Sequence, residues 1–156
     1  MTEKIAKKVG EAYAFASVLQ QTFTTNTEVM GELFGSFSPH ILDTTTKQQE
    51  ALQTIAQASE MTETVLPKAE KTATKISNMG EMYVGDDWDD VAEVLEWMSF
   101  FIGGAIVHWQ LIVGAAKEMN HEEFISVSEA GVSYYTELME QLRTHAESIG
   151  QQRAQG

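Results

Sequence analysis

The stretch "EVLEWMSFFIGGAIVHWQLIVGAAKE", Glu93 to Glu118, decides how this chain is read. From Met98 to Ala116 only Ser99, His108 and Gln110 interrupt the apolar residues with polar side chains, and Gly103–Gly104 sits mid-run. At 100° per residue, Asp89, Glu96, Gly103, Gln110, Gly114 and Glu118 share one narrow stripe. Val94, Met98, Phe101, Ala105, Trp109 and Ile112 oppose it, with Trp97, Phe100 and Leu111 on its flanks. A bundle helix in a monomer needs an apolar arc of about 100°; this one has more than twice that width.

Three arrangements account for such a helix. A transmembrane span needs about 20 apolar residues, and Met98–Ala116 just reaches that length. Against a span, Asp89–Glu96 continue the helix upstream, and the downstream flank offers Lys117 rather than a basic cluster. A helix buried at the centre of a monomer explains much of the arc. A helix shared between a monomer core and an oligomer interface explains more. Gly103, Gly104 and Gly114 then let a partner helix approach, while Trp97, Phe100 and Trp109 supply contact area. The expected interface is Trp97, Phe100, Gly103, Gly104, Val107, Gln110 and Gly114, in a homo-oligomer whose simplest form is a two-fold dimer.

Outward from this helix, Pro39 and Pro67 are the only prolines, and no run alternates with period two. Residues 3–36 place Ile5, Val9, Ala12, Ala16, Leu19, Phe23, Asn26, Met30 and Leu33 at steps of four and three, a seam with one polar position. Residues 44–78 repeat the spacing through Leu52, Ile55, Ser59, Thr62, Leu66, Ala69, Ala73 and Ile76. That small, partly hydroxylic seam suits close packing or the edge of a bundle. Pro67 removes a backbone donor and predicts a kink or a break there.

The third helix, about 87–118, opens on "DDWDD", where Asp86 or Asp87 can cap it and Asp89 and Asp90 meet the helix dipole. Calcium-loop spacing is absent. "KEMNHEE" is a short turn with Asn120 as N-cap, making residues 121–149 the antiparallel partner of helix three. Residues 151–156 read as a frayed polar tail after one domain, 1–150. The expectation is an all-α, antiparallel up-and-down four-helix bundle.

Composition narrows the function. At 43% apolar and 21% charged residues the chain is globular rather than disordered. It has no cysteine, which excludes disulfides, thiolate metal sites and a thiol nucleophile. The N-terminus has no apolar leader pattern, so a cytoplasmic location is expected. The net charge is −13, of which residues 81–156 carry −11. That field disfavours nucleic acid and anionic membrane surfaces.

No catalytic residues are predicted, since no phosphate loop, nucleophile elbow or H-E-x-x-H occurs. A lone His108 on the apolar helix is a candidate ligand or base, and the hairpin register sets it near Ser133, Tyr134 and Glu137. His108, Tyr134 and Glu137 are therefore the candidate positions for a metal or small apolar ligand. A ferritin-like carboxylate site needs two Glu-x-x-His pairs, but Ala105 precedes His108 at that spacing and Glu118–His121 straddles the turn. Glu11, Glu28, Glu32 and Glu129 are candidate carboxylates for such a site, but neither required pair is present. No cofactor is predicted, with metal or haem left open at His108. The leading expectation is a non-enzymatic interaction or structural module. A ligand-binding or ferritin-like bundle and a membrane-inserting bundle are the alternatives.

Overall fold

The computed structural model describes residues 1–156 and is helical throughout, without strands. Five long helices, α1 (Glu3–Thr25), α3 (Ile41–Ala58), α4 (Thr62–Val84), α5 (Val91–Glu118) and α6 (Glu122–Ala154), are joined by a short α2 (Thr27–Phe34) and a 3-10 turn, Gly35–His40. Five long helices replace the four that the heptad pattern predicts.

The extra helix comes from the second expected segment, which breaks at Ser59–Met61 rather than at Pro67. Glu60 adopts a left-handed φ of 57° and reverses the chain. Pro67 stands inside α4 with its residue exposed, and the carbonyl of Glu63 alone loses a donor. The first segment divides at Asn26, the single polar position of its seam. There the amide donates back to the Thr22 carbonyl at 3.1 Å and the chain leaves helical geometry.

Side-chain pairs show how the helices run. Gln20 bonds Thr46 and Gln49 bonds Ser17, so α3 runs antiparallel to α1. Gly10 lies against Val65 and Lys68, while Val18 and Thr22 share a cleft with Ile76 and Gly80, so α4 runs parallel to α1. Glu11 meets His108, Phe15 meets Phe101 and Val18 shares a cleft with Trp97, setting α5 antiparallel to α1. Trp109 packs on Gly131, and Gly103 faces Met139, which makes α5 and α6 an antiparallel hairpin.

Two glycines permit the closest approaches. A Cβ on Gly10 would stand 2.6 Å from the Val65 carbonyl oxygen, and one on Gly131 would enter the Trp109 indole. The small seam of α4 thus packs closely on α1. The core joins Leu19, Met30, Phe34, Leu52, Ile55, Met98, Trp109, Phe124 and Tyr135 in one cluster. Among its polar groups, Thr45 and Ser128 bond the carbonyls of Ile41 and Phe124 and Tyr135 donates to Gln48 at 3.2 Å, while the Trp109 indole Nε1 has no hydrogen-bond partner.

The helix ends differ from expectation in three places. Asp90, not Asp86 or Asp87, caps α5, accepting from the N–H groups of Ala92 and Glu93. Asn120 takes a left-handed φ of 51° in the turn after α5, and His121 caps α6 by accepting from Phe124 N–H at 3.1 Å. Residues 151–154 continue α6 rather than fray. Gln, Arg and Ala favour helix there, and Arg153 donates to Asp90 at the start of α5.

Candidate functional site

α5 is the one helix long and apolar enough to cross a membrane by length and composition. Only 39% of its most apolar 18-residue window is buried, so the core does not absorb its composition. Its inner face packs Val94, Met98, Phe101, Ala105, Trp109 and Ile112 against α1 and α6. Outside, Phe100 is 62% exposed, Val107 60% and Leu111 52%. These three lie within about 40° of one another around the helix, since seven residues turn it through about −20° and eleven through about +20°.

Glycine completes that face. A Cβ on Gly114 would meet nothing within 4 Å, and one on Gly103 would touch only Met139 Cε, at 3.7 Å. Gln110 is exposed on its edge. At the N-terminal end Tyr83 of α4 stands edge-on to Phe100, ring centroids 5.3 Å apart, and its hydroxyl donates to Glu96 at 2.9 Å. That bond, with some burial and the Glu96 and Glu93 charges, raises the phenol's pKa. The polar stripe read from the sequence and the exposed apolar residues are one face.

Two expected interface residues lie elsewhere. Trp97 is 5% exposed, with its indole against Gly80 of α4 and beneath Tyr83. Gly104 faces inward onto the Phe15 ring. Conversely, Leu111 belongs to the face and Tyr83 borders it. The helical wheel held the signal for Leu111, which projects beside Phe100. Nothing local to Tyr83 marked it, because its neighbour is distant in sequence.

His108 is half-buried on the α1 side of α5. Its Nε2 lies 3.0 Å from Glu11 Oε2 and its Nδ1 lies 2.8 Å from the Gly104 carbonyl oxygen. The hairpin register placed it near Ser133, Tyr134 and Glu137, and the structure corrects this. Trp109, one residue on, takes the α6 side, leaving His108 to face α1. Tyr134 instead borders a 260 Å³ cleft between α3 and α6 with Thr44, Lys47 and Gln48, where burial pushes its phenol up to about 12. Glu137 is exposed on α6. The three candidate ligands do not converge, and no three His, Cys, Asp or Glu side chains are grouped to hold a metal ion.

What His108 does join is an ionic cluster. Glu11, with its side chain 12% exposed, receives Lys8 at 2.8 Å and Lys68 at 3.2 Å besides the imidazole. Burial pushes the carboxyl up, but hydrogen bonds from the two lysines and the charges of Lys8 and His108 together hold it below the ordinary value of 4.5. The cluster ties α1, α4 and α5 together. Glu11 stood among the carboxylates in the sequence, yet no spacing there linked it to His108, 97 residues away.

No family model matches the chain, and no curated protein or solved structure matches it either.

Proposed function

We propose that this protein is a non-enzymatic helical-bundle module that self-associates through the outer face of α5. The observation carrying the reading is the exposure of Phe100, Val107 and Leu111 on one stripe beside the open Gly114. A contiguous apolar patch on a folded monomer marks a contact surface far more often than an isolated exposed residue does. In the same reading α1, α3, α5 and α6 form an antiparallel four-helix bundle, with α4 added against α1 as a fifth helix. The alternating pairings of Gln20–Thr46, Phe15–Phe101 and Trp109–Gly131 support it.

Light scattering across a concentration series, on the parent chain and on Val107→Glu, tests the self-association. The parent forms a dimer in the micromolar range, and the added charge at the centre of the face returns it to monomer with unchanged helical circular dichroism. A parent that stays monomeric at every concentration overturns the reading. One that also floats with neutral phosphatidylcholine vesicles replaces it with membrane insertion.

A further inference from the structure

The exposed face of α5 is symmetric in position and complementary in size about one residue. Phe100 and Gly114 each lie seven residues from Val107, and Gly103 and Leu111 each lie four. On either side of that centre a large side chain is matched by a glycine at the same distance. We propose that α5 packs antiparallel against α5 of a second copy, with the two-fold axis at Val107. Phe100 then seats over the partner's Gly114, and Leu111 over the partner's Gly103. This rests on self-association through α5 and adds its direction and register.

The physical argument is that of an isologous contact. A two-fold axis requires that if one residue meets another, the second copy repeats the contact in reverse. Seven residues span about 10.5 Å of helix and four about 6 Å, so both large–small pairs fall opposite one another when Val107 meets its own copy. A parallel alignment sets Phe100 on the partner's Phe100 and leaves the glycines facing across a void. Such voids lose the dispersion contacts that hold an interface together. The glycines themselves leave room, since Gly114 has nothing within 4 Å of a built Cβ and Gly103 has only the flexible end of Met139.

Area and charge set the strength. At 62%, 60%, 52% and 42% exposed, Phe100, Val107, Leu111 and Tyr83 offer roughly 450 Å² per copy, or roughly 900 Å² for the pair, below the roughly 1,200 Å² at which stable specific interfaces begin. A second copy of this chain is therefore held weakly and reversibly. Each copy carries −13, and Glu96 and Glu118, both eleven residues from Val107, approach across the axis at either end. Added salt screens that repulsion and tightens the pair.

The chain has no cysteine, so single cysteines report the geometry without background. Val107→Cys, Gly114→Cys, the double variant Phe100→Cys/Gly114→Cys and, as a collision control on α6, Ser133→Cys are oxidised with copper phenanthroline. Light scattering of the reduced proteins runs alongside. A disulfide needs Cα atoms within about 7 Å. In the antiparallel pair the two copies of position 114 are about 21 Å apart along the axis. Val107→Cys and the double variant give covalent dimer, while Gly114→Cys stays at the level of Ser133→Cys. If Gly114→Cys cross-links as well as Val107→Cys, the direction is parallel and the register falls while self-association through α5 stands. If dimers form but Val107→Cys does not cross-link above control, the axis is not at Val107 and the register falls; if Val107→Glu also leaves that dimer intact, α5 is not the contact and both readings fall.

Discussion

Gly131→Ala puts the close approach of α5 and α6 to a direct test. In an exposed helix interior, replacing glycine by alanine stabilises by about 1 kcal/mol, because the unfolded chain loses freedom and the helix does not. At Gly131 the added Cβ would lie 2.5 Å from Cε3 and 2.7 Å from Cε2 of Trp109, and nearer still to Cδ2. Ordinary contact needs about 3.5 Å or more, so ring or helix must yield by about 1 Å. The atoms met belong to the fused edge of a rigid indole that is fully buried, not to the end of a flexible chain. Overpacking of that kind costs about 1–3 kcal/mol and more where nothing can give. Subtracting the helix gain leaves a loss of up to about 2 kcal/mol, or up to roughly 4–8 °C in melting temperature for a chain of this length. Thermal and urea unfolding followed by circular dichroism, at concentrations too low for association, provides the measure. Gly150→Ala is the matched control: it lies in the same helix, meets nothing within 4 Å and stabilises by up to about 1 kcal/mol. Equal stabilisation by both substitutions would refute the claim that Trp109 requires glycine at 131.

Further outcomes follow from the ionic cluster and the outer face. Glu11→Gln keeps the shape but removes the charge shared by Lys8, Lys68 and His108, and costs about 1–2 kcal/mol in urea unfolding. The folded-state pKa of Glu11 lies below 4.5, so its contribution is present above that value and is lost as pH falls through the lower folded-state value. Between about pH 6 and about pH 3 the parent's urea midpoint therefore drops more steeply than that of Glu11→Gln. Gly114→Leu raises the stability of the dilute monomer, since glycine is unfavourable within a helix and the site is open, yet it fills the hollow that the proposed antiparallel pair assigns to Phe100 of the second copy. Unfolding and light scattering on that one variant should move in opposite directions.

The all-helical class was legible because apolar residues recur at steps of three and four and no proline falls within α1, α5 or α6. The excess apolar arc of α5 was legible for the same reason, and its outward residues prove to be Phe100, Val107 and Leu111. The break between α3 and α4 was hidden. Ser59-Glu60-Met61 contains neither glycine nor proline, and a left-handed glutamate announces nothing in the sequence, whereas Pro67 suggested a break and is accommodated at an exposed position. His108 was misplaced because a hairpin register specifies only the neighbour along the chain. α5 touches α1 and α6 at once, and rotation about its axis decides which neighbour a side chain meets. Trp97 misled for a related reason: its large area served Gly80 and Tyr83 of α4, a helix whose separate existence the periodicity had merged with α3.

The composition of α5 remains unusual once the core is accounted for, and physical cost says why that matters. An exposed Phe, Val and Leu gain little from folding, and on a chain of charge −13 solubility would be served equally well by polar residues on that stripe. Inward residues of α5 must be apolar to bury against α1 and α6; outward ones are under no such demand. The same stripe spends glycine at 103 and 114, each costing about 1 kcal/mol of helix stability relative to alanine. Gly131, by contrast, is required by the Trp109 ring inside its own copy. On the proposed reading, a helix that carries bulk and hollows on its outer side at matched distances, bordered within its own chain only by Tyr83 at Phe100 and Met139 at Gly103, spends that stability on contact with a second copy.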